Sequence, residues 1–120
     1  MQPAHHMMVK ILQQKISRIE LAEIASEGYG SVVKMAVDIK KEKIALGGEF
    51  HSDCEAVLVE NGSEPVNIWG ANIYLDRPEK ERLEFIALIN IRPVFNNRSM
   101  EIQDIALKEK IQQIVDKFIE

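Results

Sequence analysis

Asn90, Arg92, Asn97 and Arg98 place two guanidinium groups and two amides within nine positions of one another. A guanidinium is permanently charged, planar and forked, which suits a carboxylate or a phosphate. An amide beside it offers both a donor and an acceptor for orienting a ligand. The competing structural reading pairs Arg92 with a carboxylate such as Glu49 or Glu84, and leaves Asn96 and Asn97 to shape a turn. Upstream, Gly47-Gly48 precedes Glu49. A glycine pair lets backbone approach a ligand closely, with Glu49 as an acid or base and His51 assisting it. A β-bulge at a strand end would call for the same glycines.

His51-x-Asp53-x-Glu55 carries three ligand-type side chains at a period of two. On a strand they would share a face and could hold a metal. At a helix start, Asp53 and Glu55 would instead complement the helix dipole. The helical reading is adopted, and no metal or cofactor is assigned, because no strong ligand spacing is present. Trp69 and Tyr74 could stack on a planar ligand, but a single Trp in a small domain is more often core. Cys54 has no activating neighbour in the sequence and reads as a buried, inert thiol.

Bulk properties bound the function. A chain of 120 residues fits one domain, and folding at this size buries roughly 65% of the unfolded surface. One cysteine excludes an internal disulfide and Cys-rich zinc sites. A net charge of −4 argues against nonspecific nucleic-acid binding, which draws on an excess of Lys and Arg. Neither a secretory leader pattern nor an apolar run of membrane-spanning length stands out, so the expected location is cytoplasmic. Met1 to Met7 are polar and aperiodic and read as a disordered or non-native terminus, His5-His6 included.

The elements that position these residues follow from periodicity. Val9-Lys10-Ile11-Leu12 is a short edge strand. Ser17-Arg18-Ile19-Glu20 is a capping box opening a helix over about 18–27, with Leu21, Ile24 and Ala25 on one face. Val33, Met35, Val37 and Ile39 alternate with Lys34, Ala36 and Asp38. A charged turn follows, then Ile44 and Leu46, making a hairpin. Ser52 to Glu60 supports a strand or a helix; the Ser-x-x-Glu box and Gly62 favour a helix. Asn67 to Leu75 reads as a strand, and Glu84 to Arg92 as a central strand ended by Pro93. Asp104 caps a last helix to about Phe118, with Leu107, Ile111, Ile114, Val115 and Phe118 in one stripe. The order β-α-β-β-α-β-β-α implies an α+β domain over residues 8–120, with a mostly antiparallel sheet and helices on one face.

These blocks resemble a small prokaryotic domain-of-unknown-function family. The resemblance rests on Gly47-Gly48-Glu49, His51, Asp53, Glu55, Asn61-Gly62-Ser63, Trp69-Gly70-Ala71-Asn72-Ile73-Tyr74, Ile89-Asn90-Ile91-Arg92-Pro93 and Asn97-Arg98-Ser99. It implies a free-standing cytoplasmic domain and a helix after His51, and carries over no catalytic residue. The family pattern often has a Ser before Leu-Ile-Asn-Ile-Arg-Pro, where this chain has Ala87.

By strand parity, Asp38, Glu49, Asn72, Tyr74, Asn90 and Arg92 lie opposite the apolar residues of their own strands. The functional expectation is an anionic small-molecule site on that polar sheet face. Arg92 and Arg98 would clamp the charge, Asn72, Asn90 and Asn97 would orient the ligand, and Glu49 and His51 would exchange protons. The alternative is an interaction module or homodimer without catalysis.

Overall fold

The computed structural model describes residues 8–120, so the expectations for residues 1–7, His5-His6 among them, lie outside the described residues. Five strands and three helices follow the expected order: β1 (Val9–Ile11), α1 (Arg18–Ser26), β2 (Val32–Asp38), β3 (Lys43–Gly47), α2 (His51–Glu60), β4 (Ile68–Tyr74), β5 (Leu83–Glu84) and α3 (Ile105–Phe118). The sheet is antiparallel throughout, in the spatial order β1-β3-β2-β4-β5. The protein is an α+β domain.

Alternation along the strands divides the core in two. Val33, Met35, Val37, Ile44, Leu46, Trp69, Ala71 and Ile73 face Leu21 and Ala25 of α1 and Ile111, Ile114 and Val115 of α3. The intervening residues Ala36, Ala45 and Ile68 face Cys54 and Leu58 of α2. The helices therefore cover both faces of the sheet, where the sequence pattern placed them on one. The physical reason is side-chain size. Ala36 and Ala45 leave room for α2 to sit close, on a face whose polar residues suggested exposure to water.

Helix ends obey local rules. Ser17 and Glu20 form the reciprocal capping box of α1. The Asp104 carboxylate accepts the Leu107 N–H, at 3.2 Å, to cap α3. Helix α2 begins two residues earlier than its Ser-x-x-Glu box predicts. Phe50 is its N-cap, and the Asp53 carboxylate accepts the Phe50 N–H at 3.0 Å.

Glu84–Arg92 is not a central strand. Pairing with β4 ends at Glu84, on a two-residue edge strand; a single bridge of Ile86 with Glu101 follows, then short 3₁₀ turns at Leu88–Asn90 and Pro93–Phe95. Its apolar residues alternate without forming a ladder, because one amide replaces the ladder. Asn90, fully buried, accepts the Gly70 N–H at 2.8 Å and donates to the Gly70 carbonyl at 3.0 Å. The side chain thus satisfies the β4 backbone that a strand would have satisfied. Gly70 permits the approach, since a Cβ there would stand 2.5 Å from the Ala87 Cβ.

Candidate functional site

Three strands place a polar row on the α2 face. Lys34 of β2 stands opposite Asn72 of β4, and Asn72 stands opposite Glu84 of β5. His51, the first residue of α2, reaches this row from above. Its Nε2 lies 2.7 Å from Asn72 Oδ1 and 3.2 Å from the Ala71 carbonyl. The orientation of the Asn72 amide is fixed by its other end. Nδ2 donates to Glu84 Oε1 at 2.9 Å and to the Ile86 carbonyl at 3.2 Å, and both of these only accept. Nε2 therefore carries the imidazole proton and donates it to Asn72. Nδ1 is left with the lone pair, and no hydrogen bond to it occurs among the described residues.

The row continues to Tyr74, whose hydroxyl donates to Glu84 Oε1 at 3.1 Å. Burial of the imidazole lowers the His51 pKa below its ordinary value. The Asn72 contact opposes this shift and Lys34 adds to it. At neutral pH the ring is thus a neutral base with a defined tautomer.

Lys34, His51 and Asn72 border a groove of about 470 Å³. Lys34, His51, Ser52 and Asn72 supply its polar part; Phe50, Ile86, Leu88, Ile89 and Met100 supply an apolar wall. Lys34 Nζ lies 5.3 Å from the centroid of the Tyr29 ring and 5.7 Å from that of Phe50. Lys34 enters no ion pair among the described residues. Phe50 offers no side-chain acceptor to the first N–H groups of α2, and the Asp53 carboxylate in the first turn complements that end of the helix.

The remaining sequence candidates lie elsewhere or are already engaged. Glu49 is exposed, and its carbonyl, not its carboxylate, accepts the Tyr29 hydroxyl at 2.9 Å. Arg92 pairs with Glu55 at 3.1 Å, donates to the Ile89 carbonyl at 2.9 Å and lies 5.2 Å from the Trp69 ring centroid. It holds the end of the 86–92 segment to α2 and β4. Arg98 is exposed and makes no hydrogen bond or ion pair among the described residues. The buried amide of Asn97 spans the Asn90 carbonyl at 2.7 Å and the Gln103 N–H at 2.9 Å, so it shapes the turn. Asp38, also buried, accepts the Lys40 and Lys41 N–H groups and the Ser63 hydroxyl. Among the sequence candidates, His51 and Asn72 come together at the groove, while Asn90, Arg92 and Asn97 come together in the turn, through the Asn97–Asn90 contact and backbone hydrogen bonds between Arg92 and Asn97.

His51, Asp53 and Glu55 diverge because they lie on a helix: one faces the groove, one caps the helix and one pairs with Arg92. Among the described residues no three His, Cys, Asp or Glu side chains group as a metal ligand set. Cys54 is fully buried, and desolvation pushes its thiol up to about 12. Gly47 and Gly48 adopt φ of +92° and +75°. A Cβ on Gly47 would strike the Met8 carbonyl, and one on Gly48 would stand 2.8 Å from a methyl of Val9. The pair therefore admits β1. No described helix is long and apolar enough to cross a membrane.

The family model described as "Protein of unknown function (DUF5674)" matches residues 10–118. The chain belongs to the DUF5674 family. No curated protein and no solved structure matches it. Most of the blocks behind the resemblance have structural roles in this DUF5674 member, as Gly47-Gly48, Gly70, Asn90, Arg92 and Asn97 illustrate. Sequence reasoning missed Lys34 and Glu84 as partners of His51. Strand parity places Lys34 on one face with Ala36 and Asp38, but its place across from Asn72 comes from the β2–β4 register, which residue spacing does not show.

Proposed function

We propose that the groove beside His51 binds a small anionic molecule, with Lys34 as its counter-charge and His51 Nδ1 as the acceptor or base. The observation that carries this reading is the tautomer held by Asn72: a neutral imidazole is oriented by a buried amide and left with an unengaged lone pair. Packing alone does not call for that arrangement. The Lys34 cation, which enters no ion pair among the described residues, favours an anion. General-base work fits the ring, whose pKa lies below its ordinary value, although no nucleophilic side chain is hydrogen-bonded to Nδ1 among the described residues.

The test is nuclear magnetic resonance of the His51 ring during titration with a panel of carboxylates and phosphates. A binding anion should shift the His51 signals, which are identified by their loss in His51→Gln. It should also raise the pKa of the ring, because a nearby negative charge favours imidazolium. Binding and protonation are then linked, so affinity grows as pH falls from the bound-state pKa to the free-state pKa. Lys34→Met, which keeps the apolar stem, should weaken binding by about tenfold or more. Unchanged affinity in Lys34→Met, or a panel that never moves His51, would refute the proposal.

A second reading is supported by a separate surface. Val94 and Phe95 are 91% and 49% exposed on the 3₁₀ turn Pro93–Phe95. Large apolar side chains gathered at a surface mark interaction sites. If this segment joins two copies of the chain, light scattering will give a dimer mass that Val94→Asp returns to that of the monomer. A monomer mass for the unsubstituted protein at about 100 μM would exclude self-association there.

A further inference from the structure

Resting on the anion-site reading above, we infer that the ligand is a singly charged carboxylate with an apolar body and a hydroxyl next to the carboxylate. The class is that of an apolar 2-hydroxy acid. Three features of the groove lead there.

The first is charge. Lys34 is the one Lys or Arg side chain bordering the groove, and Glu84 sits behind Asn72, 2.9 Å from its Nδ2. A dianion such as a phosphate monoester would meet a single cation with a carboxylate close behind the site. A monoanion matches it.

The second is the wall. Ile86, Leu88, Ile89 and Met100 supply the groove's apolar lining. The backbone bond from the Ala87 N–H to the Met100 carbonyl, at 3.1 Å, holds the two halves of this wall together. A sugar or another polyol would leave its hydroxyls unpaired against such a wall, whereas a branched aliphatic group would bury there.

The third is the direction of the hydrogen bond. Nε2 is committed as a donor to Asn72 Oδ1, so at neutral pH Nδ1 can only accept. The ligand must then present a donor close to its anionic group. A hydroxyl meets this requirement without adding a positive charge beside Lys34.

Four probes separate these features: 2-hydroxy-4-methylpentanoate, 4-methylpentanoate, lactate and inorganic phosphate. All are followed by the His51 ring signals and by the dissociation constant. Each buried methylene is worth about fourfold in affinity, so 2-hydroxy-4-methylpentanoate should bind at least about tenfold tighter than lactate. The hydroxyl should make it about two- to tenfold tighter than 4-methylpentanoate. His51→Ala should erase that second difference and keep the first. Leu88→Ser, at a position already 70% exposed and so tolerant of change, should shrink the first and keep the second. If lactate or phosphate binds as tightly as the branched acid, or if 4-methylpentanoate equals its hydroxylated form, the ligand class is wrong while the anion site stands. If none of the four probes moves His51 and the wider anion panel also fails, the anion site itself falls.

Discussion

Ile111→Ala will lower the unfolding free energy by about 2–5 kcal/mol, the range for removing a large aliphatic side chain from a packed site. Ile111 is fully buried in the cluster that joins α3 to Met35, Val37, Leu46 and Trp69. Ile114 and Val115 flank it on the same stripe and are also fully buried. The helix cannot move inward to fill the space without dislodging them, so the cavity term persists. Polar contacts add to the docking: Lys110 and Lys117 pair with Glu42, at 2.9 and 2.6 Å, in the turn between β2 and β3. Hydrogen bonds from these two lysines bring the Glu42 carboxyl down to about 2. Gln113→Ala, on the exposed side of the same helix, should change stability by less than about 0.5 kcal/mol. The check is urea denaturation of the three proteins. An Ile111→Ala loss as small as that of Gln113→Ala would mean that α3 is not part of the cooperative unit.

The elements that were legible in the sequence are those whose signals are local or strictly periodic. The Ser17–Glu20 box, the Asp104 cap and the five-residue stripe of α3 each depend on residues three or four apart, and each reappears in the structure. The hairpin is legible for the same reason, since Val33, Met35 and Val37 fall in phase with Ile44 and Leu46. Of the residues that line the groove, His51 and Asn72 are legible in the sequence, because a histidine and a strand amide are conspicuous wherever they stand.

The rest depends on information that spacing does not carry. Lys34 joins the site through its register with Asn72, 38 positions downstream. The position of α2 on the second face depends on Ala36 and Ala45 being small, which looks like ordinary filling until a helix is set against them. Arg92 has the composition of an anion clamp, but a guanidinium has five donors, and here backbone carbonyls and Glu55 engage them. Composition identifies what a side chain could hold. Only the fold decides whether anything else already holds it.

Asn90→Ala should be among the most damaging single substitutions, and it tests the misread segment directly. Its amide accepts the Gly70 N–H at 2.8 Å and donates to the carbonyls of Gly70 and Met100, at 3.0 and 3.2 Å. Truncation would strand the N–H and the carbonyl of Gly70, both on a buried stretch of β4. Each buried group left unpaired costs about 1–3 kcal/mol, so the expected loss is about 2–6 kcal/mol. The Ala87 and Ile89 side chains packed against Gly70 leave water little room to take the place of the amide. Asn90→Asp separates the two functions of the side chain. It retains an acceptor for the Gly70 N–H and, once ionised, has no donor for either carbonyl. It also buries a carboxylate whose pKa burial would raise, so its destabilisation should deepen as pH rises from the ordinary carboxylate range up to that raised pKa. Hydrogen exchange at the Gly70 amide supplies the local readout. Strong protection in the unsubstituted protein should be lost in Asn90→Ala and partly kept in Asn90→Asp at low pH. If Asn90→Ala unfolds within about 0.5 kcal/mol of the unsubstituted protein and the Gly70 amide stays protected, then backbone pairing, not this side chain, holds the outer edge of β4.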